Sequence, residues 1–485
     1  MRILPIIALL FLLTSVQSQT VSWSNPQVVL PGAAYPSFVP GDDETVGPLI
    51  KTTSLANGAL LVVWSDYATG KTELYASFKI GNVFTPPTNL SQSPNQESLL
   101  PDVISTPSGK TCVAWSEFDP SFGSAQLYLR VLNADGTWAA KVKISNASNA
   151  FNFYPSMAFT SNPDVLLLVY TELKTDGAGN TSGYTIRFKE FNIATKQTSA
   201  FASPELSPLG FNFRATLLNQ GADKIHCCWY DPEESEEDYD SYIAYSLLES
   251  GTWSATEKLS TSTTISTWDD GPIKMLVDQA NNLFVIWTAF APFPSNAYII
   301  KKPENGPFQA PVEFHDDEVL NWAFAISKDG TLNAAGTYFG DLLCYQFDGS
   351  ALNFEEIISN GLTGISKMPE MINIADTLHL FWVQGETLMY SYMPPATSST
   401  GQQPNDLMDV TISPNPCRDI LSVNYSNDGQ PCYLNITDQG GNTVISKTIY
   451  GQSTIDMGKL IPGTYFLSIS TNGVSRVQKF VKLSE

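Results

Sequence analysis

The chain has 485 residues, of which 43% are hydrophobic, 12% aromatic and only 15% charged, and its formal net charge at pH 7 is −22. This composition is typical of a folded chain, and the length favours several domains or a repeat architecture. Nucleic acid and anionic membrane surfaces both require a basic protein surface, which 26 scattered Lys and Arg residues do not provide. The composition therefore argues against both as partners.

The N-terminus has the pattern of a secretory signal peptide. A short positive start precedes an apolar run over residues 3–13, and small polar residues follow, with Val16 and Ser18 at the positions that signal peptidase reads. An apolar run of this length is too short for a permanent membrane anchor. We therefore predict a signal peptide over residues 1–18 and an exported protein. No later stretch of the sequence predicts a transmembrane helix.

Residues 19–393 contain a repeat with a period near fifty residues. In each repeat an apolar run ends in an aromatic residue, as in Leu61-Val-Val-Trp64, and successive runs end 46 to 59 residues apart. Several short strands per repeat at this period indicate a β-propeller. The anchor positions that end the runs are Trp64, Trp115, Tyr170, Trp229, Trp287, Gly336 and Trp382, where Gly336 takes the place of an aromatic residue.

Each repeat divides into four predicted strands, and their number indicates how the ring closes. The seventh repeat lacks a fourth strand, whereas residues 21–30 have a fourth-strand pattern without a repeat of their own. Pairing this strand with the last blade would remove two open sheet edges. We therefore predict an all-β fold with a seven-bladed propeller. The alternatives are six blades, because the sixth repeat lacks its aromatic anchor, and a pair of β-sandwiches. The predicted first strands begin near Pro48, Pro101, Pro155, Arg214, Pro272, Asn321 and Pro369.

One face of such a propeller is predicted to be acidic. In a four-stranded antiparallel blade, the loops before the first strand and after the second strand lie at the same end, and these loops carry many carboxylates. Residues 20–406 hold 19 Lys or Arg against 42 Asp or Glu. Carboxylates are hard ligands that suit Ca²⁺, although no run here has the spacing of a known calcium loop, and solvated or strand-capping carboxylates are the alternative. The candidate calcium ligands are Asp269, Asp270, Asp316 and Asp317.

Aromatic side chains are predicted on the same face. Trp268 and Trp322 are candidates for stacking on sugar rings, whose hydroxyl groups would bond to nearby carboxylates and amides. The alternative for these aromatic side chains is packing between blades. The candidate ligand-binding residues are Asp66, Glu117, Glu172, Arg214, Asp231, Trp268, Asp269 and Trp322.

Two turns resemble those of a known class of propeller. Residues 132–138 and 249–253 approach the Asp-box turn, although both depart from its full Ser-x-Asp-x-Gly-x-x-Trp spacing, and the repeats resemble sialidase-type propellers. Sialidases hold a carboxylate with three Arg side chains. The region contains only Arg130, Arg187 and Arg214, and only Arg214 opens a first strand. The sequence therefore does not favour sialidase activity.

Two functions from different classes follow from these observations. The favoured one is a non-enzymatic secreted or surface propeller that binds a glycan or a protein on its acidic, aromatic-bearing face. The alternative is a divergent extracellular glycoside hydrolase that uses paired carboxylates. Two inward-facing carboxylates in a deep central pocket would favour the hydrolase, and a shallow face rimmed by loops would favour the binding protein.

A linker rich in Pro, Ser, Thr and Gln over residues 394–406 precedes the last region of the chain. Residues 407–485 contain short alternating strands separated by Gly, Pro and Asn turns, which predict a small antiparallel β-sandwich. Cys417 and Cys432 lie in this region, and the sequence leaves their pairing open.

Three motifs in this region resemble, in order, those of the C-terminal sorting domain of the type IX secretion system of Bacteroidetes. They are the start Pro414-Asn415-Pro416, the turn Gly463-Thr-Tyr465 and the finish Lys479-Phe-Val-Lys482. The resemblance implies export across the outer membrane by the type IX machinery, usually followed by removal of the domain by a sortase. It also implies that the protein is secreted or lies on the outer cell surface.

Overall fold

The computed structural model divides the chain into an N-terminal unit, Met1–Ala396, and a C-terminal unit, Thr397–Glu485. The predicted signal peptide, residues 1–18, and residues 396–406 of the predicted linker lie outside the described residues. Within the described part of the chain no helix is long and apolar enough to cross a membrane. The structure describes residues 23–30, 49–67, 70–80, 83–120, 123–145, 150–175, 181–208, 212–232, 241–260, 273–289, 296–315, 320–338, 340–347, 349, 352–395, 410–414, 417–425, 432–437, 443–449, 452–471 and 474–483.

The described part of the N-terminal unit folds into seven successive groups of antiparallel strands, numbered here as groups 1 to 7. A first strand, β1, covers Gln27–Leu30. Group 1 contains β2 Ile50–Ser54, β3 Leu60–Asp66, β4 Glu73–Ile80, β5 Val83–Phe84 and β6 Thr88–Asn89. Group 2 contains β7 Glu97–Ser105, β8 Thr111–Phe118, β9 Ala125–Leu132 and β10 Val142–Lys143. Group 3 contains β11 Phe151–Phe159, β12 Val165–Thr175, β13 Thr181–Asn192 and β14 Gln197–Ala200.

The remaining groups repeat this hairpin order. Group 4 contains β15 Phe213–Gln220, β16 Lys224–Pro232, β17 Ser241–Glu249, β18 Thr252–Trp253 and β19 Glu257–Lys258. Group 5 contains β20 Lys274–Val277, β21 Leu283–Ala289, β22 Asn296–Lys302 and β23 Val312–His315. Group 6 contains β24 Leu320–Ile326, β25 Leu332–Tyr338, β26 Asp341–Phe347 and β27 Leu352–Ile357. Group 7 contains β28 Ser366–Ile374, β29 Thr377–Gln384 and β30 Thr387–Met393.

The N-terminal strand completes the last group. β1 pairs antiparallel with β30, with Gln27 opposite Tyr390 and Val28 opposite Met389, so the strand order is β1-β30-β29-β28. The pairing predicted between the N-terminal strand and the last repeat is therefore present. Groups 2 and 3 differ from the others because one parallel pair, Phe151 with Ala125, joins them into a single sheet.

The second strand of each group is buried on both of its faces. In β3, for example, Leu61, Val62 and Val63 have no exposed surface. A strand between two packed sheets has no solvent face, and for this reason these strands have continuous apolar runs rather than alternating patterns. The predicted all-β, propeller-like fold is therefore confirmed, and the recurring apolar runs are its second strands.

The core of the N-terminal unit lies between successive groups. Trp229 of group 4 packs with Ala158 and Val169 of group 3, and Trp382 of group 7 packs with Ala323 of group 6. A further cluster joins group 7 to group 1. The first strands of successive groups also contact one another in a closed cycle, from β2 through β7, β11, β15, β20, β24 and β28 back to β2.

The C-terminal unit contains two antiparallel sheets that share one core cluster. Cys417 is buried in this cluster with a free thiol. One sheet has the strand order β31-β32-β35 and the other β34-β33-β36-β37. The strands are β31 Val410–Ser413, β32 Ile420–Tyr425, β33 Cys432–Thr437, β34 Thr443–Ile449, β35 Ser453–Asp456, β36 Gly463–Thr471 and β37 Val474–Lys482.

Candidate functional site

A cavity of about 410 Å³ lies between the first strands of the N-terminal unit. Residues from β2, β7, β11, β15, β20, β24 and β28 line it. A second space of about 790 Å³ follows the same strands in groups 4 to 7 and shares Leu218, Leu276 and Met371 with the first. The two spaces therefore lie along one axis between the first strands. We refer to the first of them as the central cavity.

One register position supplies most of the charge in the central cavity. The residue directly before each anchor position pairs with one residue of the first strand, and that first-strand residue occupies the register position. In group 1, for example, Val63 pairs with Lys51, and in group 7 Phe381 pairs with Glu370. Because the position is the same in every group, these residues form one layer, which we name the register layer. Its members are Lys51, Asp102, Ser156, Thr216, Lys274, Ala323 and Glu370.

A shift in strand register precedes this layer in five of the first strands, β7, β11, β15, β24 and β28, and a positive φ marks four of these shifts. The backbone has φ of +58° at Leu100, +55° at Tyr154, +53° at Arg214 and +52° at Met368, and the strand register shifts at each site. Positive φ is uncommon for residues other than glycine, and a bulge of this kind redirects the side chains around it. Because the same bulge recurs in different groups, the register-layer residues that follow it reach the same cavity.

The charged members of the register layer interact across the cavity. Lys274 Nζ lies 3.1 Å from Glu370 Oε2 in an ion pair, although group 6 separates their groups in the chain. Burial raises the pKa of Asp102 to about 6, while the nearby Lys51 and the Met157 N–H, 2.7 Å from Asp102 Oδ2, act in the opposite direction. Burial lowers the pKa of Lys274, and Glu370 partly offsets that effect. Two carboxylates and two ammonium groups thus share one confined space.

Arg214 and Tyr154 line the same cavity next to the register layer. The guanidinium carbon of Arg214 lies 4.3 Å from the centroid of the Tyr154 ring, which is a cation–π contact. The backbone N–H of Arg214 donates to Thr171 Oγ1 at 2.9 Å and fixes the bulge. The other two Arg residues of the region lie elsewhere, Arg130 in β9 and Arg187 in β13.

The carboxylates predicted to form an acidic ligand site have partners in the core. Asp66, Glu117 and Asp231 are buried. Each accepts a hydrogen bond from the indole N–H of its own anchor Trp, two residues earlier. The Nε1–oxygen distances are 3.2 Å for Trp64 with Asp66, 3.0 Å for Trp115 with Glu117 and 2.8 Å for Trp229 with Asp231. Ligand binding by these three carboxylates stays a prediction.

The other sequence candidates are dispersed. Glu172 accepts from Arg187 Nε at 3.0 Å and Nη2 at 2.6 Å, on the hairpin of β12 and β13. Trp322 is 8% exposed and packs between groups 5 and 6 with Phe324 and Tyr345. Of the candidates that lie within the described residues, the structure brings only Arg214 to the central cavity. Trp268, Asp269, Asp270, Asp316 and Asp317 lie outside the described residues.

No metal site is apparent in the described part of the chain, where no group of three or more His, Cys, Asp or Glu side chains is placed to hold an ion. The predicted Ca²⁺ ligands are not among these residues. Calcium binding therefore stays a prediction for the loops before β20 and β24.

The sequence interpretation did not identify Lys51, Asp102, Lys274 and Glu370. A signal for them was present, because Asp102 and Glu370 each directly follow the proline near which a first strand begins. A buried charged residue within an inner strand requires a partner or a cavity. What the sequence does not contain is the register that places the four residues on one level.

The sorting motif lies in the C-terminal unit. Gly463 and Tyr465 begin β36, Tyr465 is buried, and its hydroxyl donates to the Ile461 carbonyl at 2.8 Å. Lys482 ends β37 and is buried, with Nζ 3.9 Å from Asp419 Oδ1. Pro414 is exposed after β31, and Lys479 lies in β37. Asn415 and Pro416 lie outside the described residues.

Several solved structures resemble this chain at low sequence identity. A protein of unknown function from Dyadobacter fermentans is 10% identical, with a TM-score of 0.46 over 62% of this chain and 95% of its own. An α-L-arabinanase of Penicillium chrysogenum is 12% identical, with a TM-score of 0.46 over 77% of this chain and 98% of its own. An α-L-arabinofuranosidase of Fusarium graminearum is 10% identical, with a TM-score of 0.43 over 79% and 99%. These TM-scores do not indicate a shared activity.

Sequence comparison identifies the last region of the chain. No curated protein matches this chain. Residues 411–483 match the model of the secretion system C-terminal sorting domain. This match includes the turn and finish motifs, with the buried Tyr465 and Lys482. The protein therefore carries a sorting domain of the type IX secretion system at residues 411–483, and it is exported by that system to the cell surface or the medium.

Proposed function

We propose that this exported protein is a seven-bladed β-propeller that binds a carbohydrate in its central cavity, and that residues 407–485 form a small β-sandwich that serves export. The observation that carries the proposal is the register layer. Six of its seven members, all except Ala323, line one space of about 410 Å³. The closed cycle of first strands and the pairing of β1 with β30 support seven blades.

The cavity has the chemistry that a sugar requires. Its volume lies within the range of small-molecule sites. Hydroxyl groups of a sugar both donate and accept hydrogen bonds, and the cavity offers donors from Lys51 and Arg214 and acceptors from Asp102 and Glu370. Tyr154, which is half-buried, adds an aromatic ring at the same place. We retain Trp268 and Asp269 as proposed contributors from the loop that precedes β20.

A glycan-array screen of the full-length protein, with and without Ca²⁺, tests the proposal. We expect binding to a defined group of glycans and loss of that binding in Arg214→Gln. The matched control is Lys224→Gln, because Lys224 pairs with Glu249 at 3.4 Å on the surface, away from the cavity. Silence of the wild-type protein under both conditions would refute carbohydrate binding. Dependence on Ca²⁺ would support the predicted metal ligands.

A hydrolase is the second candidate, and one observation favours it. Asp102 and Glu370 line the same cavity, and the pKa of Asp102, raised to about 6 by burial, leaves part of this carboxyl protonated near neutral pH. Glycosidases use one protonated and one ionised carboxyl group. Hydrolysis of an aryl glycoside that disappears in both Asp102→Asn and Glu370→Gln would establish this activity. Absence of turnover on a broad panel would leave the binding protein.

We also propose that a sortase removes the sorting domain after export. The match at residues 411–483 supports an interaction with the type IX machinery, and cleavage is the usual later step in proteins with this domain. The mass of the protein recovered from the medium tests the step. A mature form that still contains residues 411–483 would contradict it.

A further inference from the structure

The central cavity has the opposite charge balance to the protein that surrounds it. The whole chain has a net charge of −22. Among the described residues, three cationic side chains, Lys51, Arg214 and Lys274, and two carboxylates, Asp102 and Glu370, line the cavity. An excess of positive charge in a confined space favours a negatively charged ligand, because charges that are shielded from bulk water interact more strongly.

The two carboxylates of the cavity already have partners. Glu370 pairs with Lys274 at 3.1 Å, and Asp102 accepts the Met157 N–H at 2.7 Å. Lys51 acts electrostatically on Asp102, but unlike Lys274 its side chain forms no ion pair or hydrogen bond within the described residues. Lys51 also lowers the pKa of Lys274 through charge repulsion. An anion beside Lys51 would relieve that repulsion.

A hydroxyl group next to Lys51 also lacks a partner. Thr52 lines the cavity and is 8% exposed, and its Oγ1 has no hydrogen-bond partner within the described structure. A buried hydroxyl without a partner has a free-energy cost, which a hydrogen-bonding ligand can remove. Ser156 and Thr216 place two further hydroxyl groups in the same layer. The cavity thus combines a cationic end with several neutral hydrogen-bonding groups.

We infer that the central cavity binds an acidic saccharide, with a sugar carboxylate beside Lys51 and Arg214 and the ring hydroxyls toward Asp102, Glu370 and the hydroxyl side chains. The cavity of about 410 Å³ has room for a sugar and is much larger than a small inorganic anion requires. Arg214, held against Tyr154 at 4.3 Å, presents a planar donor that suits a carboxylate. This inference rests on the proposed carbohydrate binding and names the class of sugar.

The neighbouring space is a less suitable place for the acid. Asp278 and Asp376 line it, with Lys328 as its only cation among the described residues. Asp278 accepts from the Asn282 N–H at 2.8 Å, and Asp376 accepts from the Lys328 N–H at 2.9 Å, so both carboxylates hold turns. The net charge there is negative, which would repel a sugar carboxylate. The acidic group therefore belongs in the central cavity.

The experiment compares the same sugar with and without its charge. Calorimetry with the full-length protein would compare oligogalacturonate with its methyl ester, which has the same ring without the charge, and with a neutral galactose oligomer. Oligoglucuronate and oligomannuronate would serve as further acidic sugars. We expect an acidic form to bind at least about tenfold more tightly than the neutral sugars. Higher salt should weaken this preference.

Substitution of Lys51 completes the test. Lys51→Gln should reduce the preference for the acidic form about tenfold, whereas Lys224→Gln, which removes the same charge on the surface, should not change it. A thermal melt of each variant confirms that it is folded. Equal affinity for the acidic and neutral sugars would overturn the inference and leave carbohydrate binding intact. No affinity for any saccharide, acidic or neutral, would refute the proposed function itself.

Discussion

Two sets of buried carboxylates in the N-terminal unit have different environments. The anchor acids, Asp66, Glu117 and Asp231, accept hydrogen bonds from core Trp side chains. The cavity acids, Asp102 and Glu370, line an open space with Lys and Arg side chains. The anchor acids lie on second strands of their groups and the cavity acids on first strands. The core indole partner, and not the acidity, the burial or a neighbouring cation, therefore separates the anchor acids from the cavity acids, because Glu117 also pairs with Lys141 at 2.7 Å.

Group 7 provides an internal control for this distinction. In place of an anchor acid it has Gln384, whose Oε1 accepts from Trp382 Nε1 at 3.1 Å. A neutral amide therefore replaces the carboxylate as acceptor in group 7, so a negative charge is not essential there, and in group 5 Ala289 follows Trp287 and offers no side-chain acceptor. In the register layer, by contrast, the residue type varies from Lys to Asp, Ser, Thr, Ala and Glu. Variation of this kind suits a surface shaped for a ligand.

The largest expected effect is the loss of an anchor side chain. Trp229 has no exposed surface and packs between groups 3 and 4. We expect Trp229→Ala to lower the free energy of unfolding by about 3–5 kcal/mol in a denaturant titration, because it leaves a large cavity in the core. Trp253→Ala is the control, since Trp253 is only half-buried. Equal losses for the two variants would contradict the special role of the anchors.

Removal of an anchor acid should have the next largest effect. Asp231→Ala leaves the Trp229 N–H buried without its acceptor at 2.8 Å, and we expect a loss of about 1–3 kcal/mol in unfolding free energy. Asp231→Asn should cost clearly less, because an amide oxygen can accept the same bond, as Gln384 does in group 7. A loss in Asp231→Asn as large as that in Asp231→Ala would show that the negative charge, and not only an acceptor oxygen, stabilises the fold.

The free energy of unfolding should fall in acid, and the protonation of His226 is one cause. Burial lowers the pKa of His226 to about 4, and its Nδ1 lies 2.8 Å from the Tyr245 hydroxyl. Because the unfolded chain binds this proton near its ordinary pKa of 6.5, stability falls as the pH drops below that value. We expect His226 to account for a loss of about 2 kcal/mol between pH 7.5 and pH 5. Unfolding titrations at the two values measure it.

The variant His226→Gln should reduce this dependence on pH. Asp102 has the opposite effect, because its pKa is raised from 3.8 to about 6 in the folded state. Its protonation stabilises the fold in acid, and this contribution is lost as the pH rises from 3.8 to 6. Asp102→Asn should therefore make the acid loss of stability steeper. A smaller loss of stability in acid for Asp102→Asn than for the wild-type protein would contradict this expectation.

The second strands were predictable and the cavity was not, and the reason is physical. Burial on both faces gives each second strand an apolar run that ends at its anchor, so that Trp115 and Trp229 identify their strands. The unpaired strand at residues 21–30 likewise indicated its partner, β30. The bulges at Leu100 and Arg214 carry positive φ on residues that rarely adopt it, and sequence patterns do not predict them.

The closeness of Lys274 and Glu370 has a similar explanation. They lie 96 residues apart in the chain and meet only because the first strands close a cycle. Local sequence gives the elements, whereas the common register of distant elements decides which charges meet.

The smallest expected effect on stability concerns this pair. Glu370→Gln keeps the side-chain shape and an oxygen that accepts from Lys274, whose side chain is 19% exposed, against 11% for Glu370. We expect a loss of about 1 kcal/mol in unfolding free energy, because Lys274 keeps a hydrogen-bond acceptor and Asp102 remains as a nearby negative charge. The same variant removes a negative charge from the cavity and keeps an acceptor oxygen for the sugar hydroxyls, so the preference for the acidic over the neutral sugar should rise. A loss of stability as large as that of Asp231→Ala would place Glu370 with the anchor acids, because it would show that this carboxylate stabilises the fold as much as a core carboxylate does.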